Sequence, residues 1–354
     1  MNRDVLSCKE LRLEQFDGKT IMICVICGGT GGARLARGIS YVYDPAALTY
    51  ICNVGDNIQF FGLSICPDID AIIYYLSGSA DFDRGWGLHD DSFNLLESLR
   101  LFSPDFWFGL GDKDMATHIW RSELLHNGAS LSEVTARESQ LWGIQARVIP
   151  ATDTWVETWI ETVAHAALHY EEYFIRYRCE PRVSRVRYVG IEDSRPTPGV
   201  LEAIASSSTI LIAPSNPVAS VLPIISVPGI REALVSNREK IWAISPVIEA
   251  LELPVGERIR ARSRERLLAA FGLPHSPVSV GQLYKDFCSH FVLDERDFAC
   301  KSQFEEMGYD VHLLKTDALS LERQKDFARE LLQLTKGVTI AGVGLVSGEQ
   351  TARG

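Results

Sequence analysis

The chain has 354 residues, of which 46% are hydrophobic, and a formal net charge of −11 at pH 7. This composition is typical of a globular protein with one large or two ordinary domains. The acidic balance argues against general nucleic-acid binding, and the sequence lacks an apolar run long enough to span a bilayer. We therefore expect neither a nucleic-acid partner nor a membrane partner.

Residues 1–20 are mixed and charged and lack the apolar core of a secretory signal, so we expect a short N-terminal extension there. The chain has eight cysteines, of which only Cys24 and Cys27 have the C-x-x-C spacing of a zinc-ligand pair. Since no second pair matches them, a zinc ribbon is not expected, and we interpret the cysteines as reduced core thiols. Such thiols are typical of a cytoplasmic protein.

The first predicted strand, over residues 21–27, is followed by four glycines in five positions, and a helix is predicted over residues 33–40. The five positions are Gly28, Gly29, Thr30, Gly31 and Gly32. Glycine permits a positive φ and close approach of backbone N–H groups to an anion, and a helix N-terminus attracts negative charge. The turn therefore predicts a phosphate site, although it matches neither the dinucleotide fingerprint nor a Walker A loop. A tight turn without a ligand is the alternative.

A second strand, over residues 48–54, completes a βαβ unit, which predicts a parallel sheet. The remaining predicted elements are helices over 92–101, 114–126 and 131–141, strands over 147–150, 156–163 and 171–178, and strands over 209–213, 240–244, 291–293 and 310–314. Ser130 and Glu133 form a capping box at the start of the third of these helices. Several strands end in polar or Gly/Pro turns, which predicts a doubly wound α/β sheet whose strand ends converge on one cleft.

Three carboxylates follow the second strand within a short stretch: Asp56, Asp68 and Asp70. Carboxylates that face phosphate oxygens are suitable ligands for Mg²⁺, and an acidic chain that handles phosphate needs a divalent cation. The alternative for each is a turn or capping role, and Asp68 is a candidate N-cap for a helix over residues 69–76.

Other side chains are suited to bind a nucleotide or a flat ring. Arg84 is suited to a phosphate or carboxylate, and Trp86 and Trp107 are suited to stack on a planar heterocycle, with core packing as the alternative. Ser215 and Asn216, between two prolines after a strand, are suited to a base or phosphate, with a plain β-turn as the alternative.

These motifs resemble the 2-phospho-L-lactate transferase family of coenzyme F420 biosynthesis. The likeness spans roughly residues 21–330 and rests on GGTGGARLARG (28–38), NVGDN (53–57), GLSICPDID (62–70), DRGWGL (83–88), WFGLGDKDMATHIWR (107–121), YFIRYRCEPRV (173–183), PGVLEAI (198–204), APSNPVAS (213–220) and VPGIREAL (227–234).

The resemblance implies an enzyme that transfers a phospho-three-carbon-acid group from a guanosine-diphospho donor to the ribityl hydroxyl of the deazaflavin Fo. The group is of the 2-phospholactate, phosphoenolpyruvate or phosphoglycerate type. GMP leaves, Mg²⁺ assists, and F420-0 or an analogue forms. It also implies a homodimer and a single Rossmann-like α/β domain over residues 21–335, with a smaller α/β subdomain inserted around 140–190. A loose tail is expected over residues 336–354.

The resemblance also implies roles for individual residues. Asp56 is the expected catalytic residue and best metal ligand, followed by Asp70 and Asp68. The expected binding residues for the substrate and nucleotide are Gly28, Gly29, Thr30, Gly31, Gly32, Arg34, Asn57, Arg84, Trp86, Ser215 and Asn216.

Two departures from the family pattern leave alternatives open. Asn57 stands where family members commonly have a second Asp, and residues 247–257 have lost the glycines of a donor-side loop and gained acidic residues. A diverged homologue with another nucleotide-activated donor or another acceptor is therefore one alternative. A nucleotide-binding regulatory protein without this activity is the other.

Overall fold

The computed structural model describes residues 21–249, 251 and 255–335. The predicted N-terminal extension (1–20) and the predicted tail (336–354) lie outside the described residues.

A parallel β-sheet forms the centre of the molecule. Within the described residues the strands are β1 (Ile23–Cys27), β2 (Leu48–Cys52), β3 (Ile58–Phe60), β4 (Leu63–Ile65), β5 (Arg147–Pro150), β6 (Glu157–Thr162), β7 (Leu168–His169), β8 (Val183–Val189), β9 (Thr209–Ile212), β10 (Ile241–Ile244), β11 (His290–Asp294) and β12 (Asp310–Leu314). In this part of the chain, seven strands pair in the order β12-β11-β10-β9-β1-β2-β5, and every pairing is parallel. This confirms the predicted doubly wound α/β sheet.

Helices cover both faces of the sheet. Within the same residues they are α1 (Gly29–Val42), α2 (Pro67–Ser77), α3 (Asn94–Phe102), α4 (Asp112–His126), α5 (Leu131–Leu141), α6 (Val200–Ser206), α7 (Leu222–Ser226), α8 (Ile230–Ser236), α9 (Val255–Ala270), α10 (Pro277–Tyr284), α11 (Lys301–Glu306) and α12 (Leu321–Leu334). The capping box that starts α5 is confirmed, because Ser130 Oγ accepts from the Glu133 N–H and the Glu133 carboxylate accepts from the Ser130 N–H. Helix α1 begins earlier than predicted, so most of the glycine turn is helical.

Strands β6, β7 and β8 form a separate antiparallel sheet, which falls inside the region where we expected an insertion. The strand predicted over residues 171–178 is wrong: residues Glu172–Arg176 form a π-helical turn. The Tyr173 hydroxyl donates to the carbonyls of Cys179 and Pro181, and positive φ angles at Arg178 and Cys179 reverse the chain. These contacts draw the segment into a compact turn, which prevents extended pairing.

The sheet order places a crevice between β1 and β9. From β1 the chain moves outward through β2 and β5, then returns and moves the other way from β9 to β12. Ligands of open α/β sheets bind outside the carboxyl ends of the strands at such a reversal.

Within the described residues no single helix is both long and apolar enough to cross a membrane. The helical segments Pro217–Ser226 and Ile230–Ser236 together meet that length and composition, but they meet at an angle of 91°. Most of their apolar side chains are buried in the protein core.

Candidate active site

A cleft of about 630 Å³ opens at the carboxyl ends of β1 and β9. Twelve of the residues predicted for the site line it: Gly28, Gly29, Thr30, Gly31, Arg34, Asp56, Asp68, Asp70, Arg84, Trp86, Ser215 and Asn216.

Gly32 and Asn57 are not among the lining residues. Gly32 packs under the turn, where a Cβ would come within 2.9 Å of Cys27 Cβ and Ser215 Oγ. The Asn57 side chain is buried, and its Nδ2 and Oδ1 have no hydrogen-bond partner within the described residues. The positions of these two residues do not support their predicted binding roles.

The glycine turn joins the ends of β1 and β9. The Gly28 N–H donates to Ser215 Oγ (3.1 Å), and Ser215 Oγ donates back to the Gly28 carbonyl (2.7 Å). A Cβ on Gly28 would come within 2.2 Å of Asp68 Oδ2, and one on Gly31 within 2.2 Å of the Pro214 carbonyl oxygen. Close packing therefore requires glycine at both positions, whether or not an anion binds there.

Three buried carboxyl groups line the cleft near this turn: Asp56, Asp68 and Glu171. Burial raises the pKa of Asp56 well above its ordinary value, and the charges of Asp68 and Glu171 raise it further. Burial likewise raises the pKa of Glu171 to about 8, with Asp68 contributing. Asp56 Oδ1 has no hydrogen-bond partner within the described chain. We call these three residues the acid cluster, and its members repel one another when ionised.

Asp68 is held in place by its neighbours. Asn53 Nδ2 donates to Asp68 Oδ2 (2.8 Å), and hydrogen bonds from the Gly29 N–H and the Ser220 hydroxyl also lower the pKa of Asp68. Burial outweighs these bonds and raises the pKa to about 6. The N-cap alternative for Asp68 is wrong, because α2 begins at Pro67 with Cys66 as its N-cap, and the Asp68 side chain turns toward Asn53.

Asp70 differs from Asp68 because its carboxylate is paired with a cationic side chain of the protein. Both carboxylate oxygens accept hydrogen bonds from the Arg121 guanidinium, which also donates to Glu138 Oε2 at 3.0 Å. His118 Nδ1 lies 3.8 Å from Asp70 Oδ2. These contacts argue against the predicted role of Asp70 as a metal ligand. Glu171, which sequence reasoning missed, lies beside Asp56 and Asp68 instead.

Arginines border the other side of the glycine turn. Glu257 Oε1 bridges Arg34 Nη2 (2.9 Å) and Arg260 Nη1 (3.2 Å). Arg260 Nη2 also donates to the Thr30 hydroxyl (3.0 Å) and to the Gly85 carbonyl (3.3 Å). Although Glu257 is partly buried, these arginines keep its pKa below the ordinary value. Glu257, one of the acidic residues of the 247–257 segment, therefore orients the guanidinium groups of Arg34 and Arg260 at the cleft.

Arg264, one turn along α9 from Arg260, is a further cation that sequence reasoning missed. It lines the cleft and is half-buried, and its Nε has no hydrogen-bond partner within the described residues. Burial lowers the pKa of Arg264 to about 10, against the opposing influence of Glu257. The four-residue spacing between Arg260 and Arg264 indicates that both side chains lie on one face of a helix, because residues i and i+4 share a face. This spacing is the sequence signal by which Arg264 could have been found.

Aromatic side chains form the outer lip of the cleft. The Trp86 ring is 43% exposed, and the Arg84 guanidinium lies 4.8 Å from its centroid. Arg84 also pairs with Asp81 at 2.8 Å. Trp107 lines the same cleft and packs edge-on against Phe60 at 4.8 Å. An exposed ring fixed beside a guanidinium is suited to stack on a planar ligand.

Protein contacts also hold Ser215 and Asn216. Asn216 Oδ1 accepts from the N–H groups of Val218 and Ala219, and its Nδ2 donates to Ser263 Oγ (3.3 Å). Asn216 therefore caps the π-helical turn that follows it. The side chains shape the cleft wall, and their predicted contacts with a nucleotide stay a prediction.

The chain matches the family model described as 2-phospho-L-lactate transferase CofD over residues 23–313. It is 37% identical over 325 residues to the phosphoenolpyruvate transferase of Streptomyces coelicolor, a match that covers 89% of this chain and 98% of that protein. It is 36% identical over 313 residues to the 2-phospho-L-lactate transferase of Methanosarcina mazei, covering 87% of this chain and 99% of that protein.

Among solved structures, the fold is similar to that of a UPF0052 family member from Bacillus halodurans. The TM-score is 0.55 and the sequence identity 17%, and the match covers 84% of this chain and 93% of the other. At this identity the likeness concerns the fold.

Proposed function

Because the chain belongs to the 2-phospho-L-lactate transferase CofD family and is a transferase, we propose that it carries out the F420-pathway reaction of that family. In this proposal the donor is a three-carbon acid linked to guanosine diphosphate, and the acceptor is the ribityl hydroxyl of the deazaflavin Fo. The products are GMP and F420-0 or its dehydro or glycerate analogue. The donor acid is lactate, enolpyruvate or glycerate.

The observation that carries the proposal is the arrangement of charge in the cleft. The acid cluster lies on one side of the glycine turn, and Arg34, Arg260 and Arg264 lie on the other. A diphosphate bound between them would face cations on one side and carboxylates on the other. Phosphate-bearing substrates reach buried carboxylates only when a cation lies between the two.

The donor groups of the acid cluster are of the kind that Mg²⁺ prefers. The donors of Asp56, Asp68 and Glu171 are carboxylate oxygens, which this ion prefers, and Asp56 Oδ1 lacks a partner within the described residues. Asp56 and Asp68 remain the proposed ligands, and we add Glu171 in place of Asp70. When bound, the ion would neutralise the clustered carboxylates and the diphosphate.

The protein's own groups then have the following proposed roles. The acceptor oxygen bonds to the phosphorus that carries the three-carbon acid, and the bond from that phosphorus to the bridging oxygen breaks, so that GMP leaves with the electron pair. Asp56, with its raised pKa, accepts the hydroxyl proton. Arg34, Arg260 and Arg264 balance the charge that grows on the departing phosphate.

We propose that Trp86 and Trp107 contact the deazaflavin ring at the lip of the cleft, where Trp86 is exposed and Arg84 lies beside it. We also propose that the enzyme acts in the cytoplasm as a homodimer, without nucleic-acid or membrane partners. Analytical ultracentrifugation tests the oligomeric state.

The decisive experiment supplies Fo, Mg²⁺ and each of the three guanosine-diphospho acids to the purified full chain. Liquid chromatography with mass spectrometry then follows GMP and the phosphodiester product. We expect equimolar GMP and product with at least one donor, and none without Fo.

Fo and GDP binding are measured in parallel by fluorescence and calorimetry. Binding of GDP without Fo binding would reject the proposal in favour of another acceptor or a regulatory nucleotide-binding role. Binding of both without turnover would point to a different activated donor.

A further inference from the structure

A second set of ligating side chains lies at the opposite edge of the sheet from the cleft. His290 is the first residue of β11, Asp310 is the first residue of β12, and His312 follows two positions later. In the parallel register His290 lies beside Asp310, and Val292 lies beside His312. Register neighbours and residues two apart on a strand project from the same face of a sheet. All three side chains therefore meet on one face at the amino ends of these strands.

The distances within this set fit a metal centre. Asp310 Oδ2 lies 3.2 Å from His290 Nδ1 and 3.4 Å from His312 Nε2. One ligand atom from each residue falls within 4.8 Å of the other two. In a tetrahedral site with metal–ligand bonds of about 2.0–2.1 Å, neighbouring ligand atoms are roughly 3.3 Å apart. The carboxylate is therefore at ligand spacing from both imidazoles.

The surroundings of His290 fix how its ring faces Asp310. Its Nε2 lies 3.2 Å from the Glu239 carbonyl oxygen, and because a carbonyl only accepts, this nitrogen carries a hydrogen. In the neutral ring Nδ1 then directs a lone pair at the Asp310 carboxylate, which is repulsive unless a cation lies between them. A ring N–H donated to a backbone carbonyl is the usual support for a metal-binding histidine.

Trp242 fixes the planes of both imidazoles. Its ring stacks on His290 with centroids 4.2 Å apart and an interplanar angle of 11°, and its centroid lies 4.5 Å from that of His312. Trp242 is itself buried. The Asp310 side chain is 64% exposed, so solvent reaches the site. The imidazoles are thus preoriented, while the third ligand remains open to entering ions.

We propose that His290, Asp310 and His312 form a binding site for a divalent transition-metal ion such as Zn²⁺, with water at the remaining position. Two imidazoles and one carboxylate favour zinc-like ions over Mg²⁺, which separates this site chemically from the acid cluster. The ion links β11 to β12, which is the outermost strand of the sheet. Its binding therefore stabilises that edge, and this proposal is independent of the proposed catalytic function.

Calorimetry on the untagged full chain tests the site. The protein is stripped with a chelator, saturated with Mg²⁺ and titrated with Zn²⁺. We expect one Zn²⁺ per chain and a rise in Tm, and an affinity at least about tenfold weaker in His312→Gln and in Asp310→Asn. Since Asp310 is exposed, its variant is expected to fold normally.

Two matched controls distinguish this site from others. His126→Gln removes an exposed histidine on α4, and Asp56→Asn alters the acid cluster; both are expected to keep the full Zn²⁺ stoichiometry and the rise in Tm. A second readout is quenching of tryptophan fluorescence by Cu²⁺, which should lose its saturable part in Trp242→Phe.

Three outcomes would overturn the proposal. One is the absence of saturable Zn²⁺ binding, as expected if a protonated histidine simply pairs with Asp310. Another is Zn²⁺ binding that survives both ligand substitutions. The third is loss of binding in the Asp56→Asn control, which would assign the ion to the cleft.

Discussion

Asp68 and Asp70 are two residues apart on α2, yet they belong to two clusters of opposite character. Asp68 faces Asp56 and Glu171 in the acid cluster. Asp70 faces Arg121, which also pairs with Glu138. Positions i and i+2 of a helix point to different faces, so one turn of α2 supplies both clusters.

The two clusters differ in how their charge is balanced. Arg121 is buried and hydrogen-bonds to two carboxylates, and His118 Nε2 lies 3.4 Å from Asp114 Oδ1. Burial alone would raise the pKa of Asp114, but His118, the Tyr74 hydroxyl and Arg121 together outweigh burial and lower that pKa overall. In the acid cluster all three pKa values are raised, and none of the three carboxylates forms an ion pair within the described residues. Burial also raises the pKa of Glu138, but the Arg121 guanidinium pairs with it and opposes that rise. We infer that the balanced cluster supports the fold and that the unbalanced one is arranged for a cation from outside.

The largest expected effect is on catalysis. Asp56→Asn should reduce turnover on the order of 10³-fold, because it removes both the proposed base and a proposed ligand. Its Tm should stay the same or rise, since the substitution also removes a repelled buried charge. Steady-state kinetics and calorimetry measure the two effects. Wild-type turnover in this variant would rule out the assigned role.

A substitution in the balanced cluster, which consists of Arg121, Asp70 and Glu138, should change the free energy of unfolding. Arg121→Met leaves Asp70 and Glu138 buried without their cation, and we expect a loss of about 3–5 kcal/mol of unfolding free energy. Arg187→Met, which breaks only an exposed pair with Glu161, should cost less than about 1 kcal/mol. Urea denaturation of both variants makes the comparison. Equal losses would mean that Arg121 is not a structural counter-ion.

The acid cluster predicts a dependence of stability on pH. A carboxyl group whose pKa is higher in the folded protein than in the unfolded chain keeps its proton longer when folded. The contribution of the acid cluster to the unfolding free energy is therefore largest near pH 4 and falls as pH rises through the folded pKa values, about 6 for Asp68 and about 8 for Glu171.

Without metal we expect a loss on the order of 5 kcal/mol between pH 5 and 9, and a much smaller loss with saturating Mg²⁺. Denaturation curves across this range, with and without Mg²⁺, measure the difference. The Glu171→Gln variant should have a flatter profile in the absence of metal. A profile that rises with pH would contradict the unbalanced state of the cluster.

The smallest expected effect separates two arginines of α9. Arg264→Met should lower kcat/KM for the guanosine-diphospho donor roughly tenfold, because one charge-assisted contact to phosphate is lost. Arg262→Met is the matched control, since Arg262 is exposed and lies 3.7 Å from Glu180. Its kcat/KM should be unchanged. Equal effects would show that the helix contributes only general positive charge.

Much of the fold could be predicted from sequence because it is encoded locally. The apolar run of β1, the glycines after it and the Ser130–Glu133 box each specify structure through neighbours within a few residues. Such short-range patterns indicated the parallel sheet and the position of its cleft. The glycine turn and Asp56 follow the adjacent strands β1 and β2, so their convergence was predictable as well.

Only the tertiary structure decided which charges are paired. Asp70 meets Arg121 across 51 positions of the chain, and Thr30 meets Arg260 across 230. Glu171 immediately precedes the π-helical turn Glu172–Arg176, in a segment for which the sequence predicts a strand. Periodicity and turn chemistry depend on adjacent residues, whereas the balance of a buried carboxylate depends on whatever distant segment packs against it. That is why the sequence alone indicated a site rich in acids, and packing separated the acids that bind their own arginine from those that lack one.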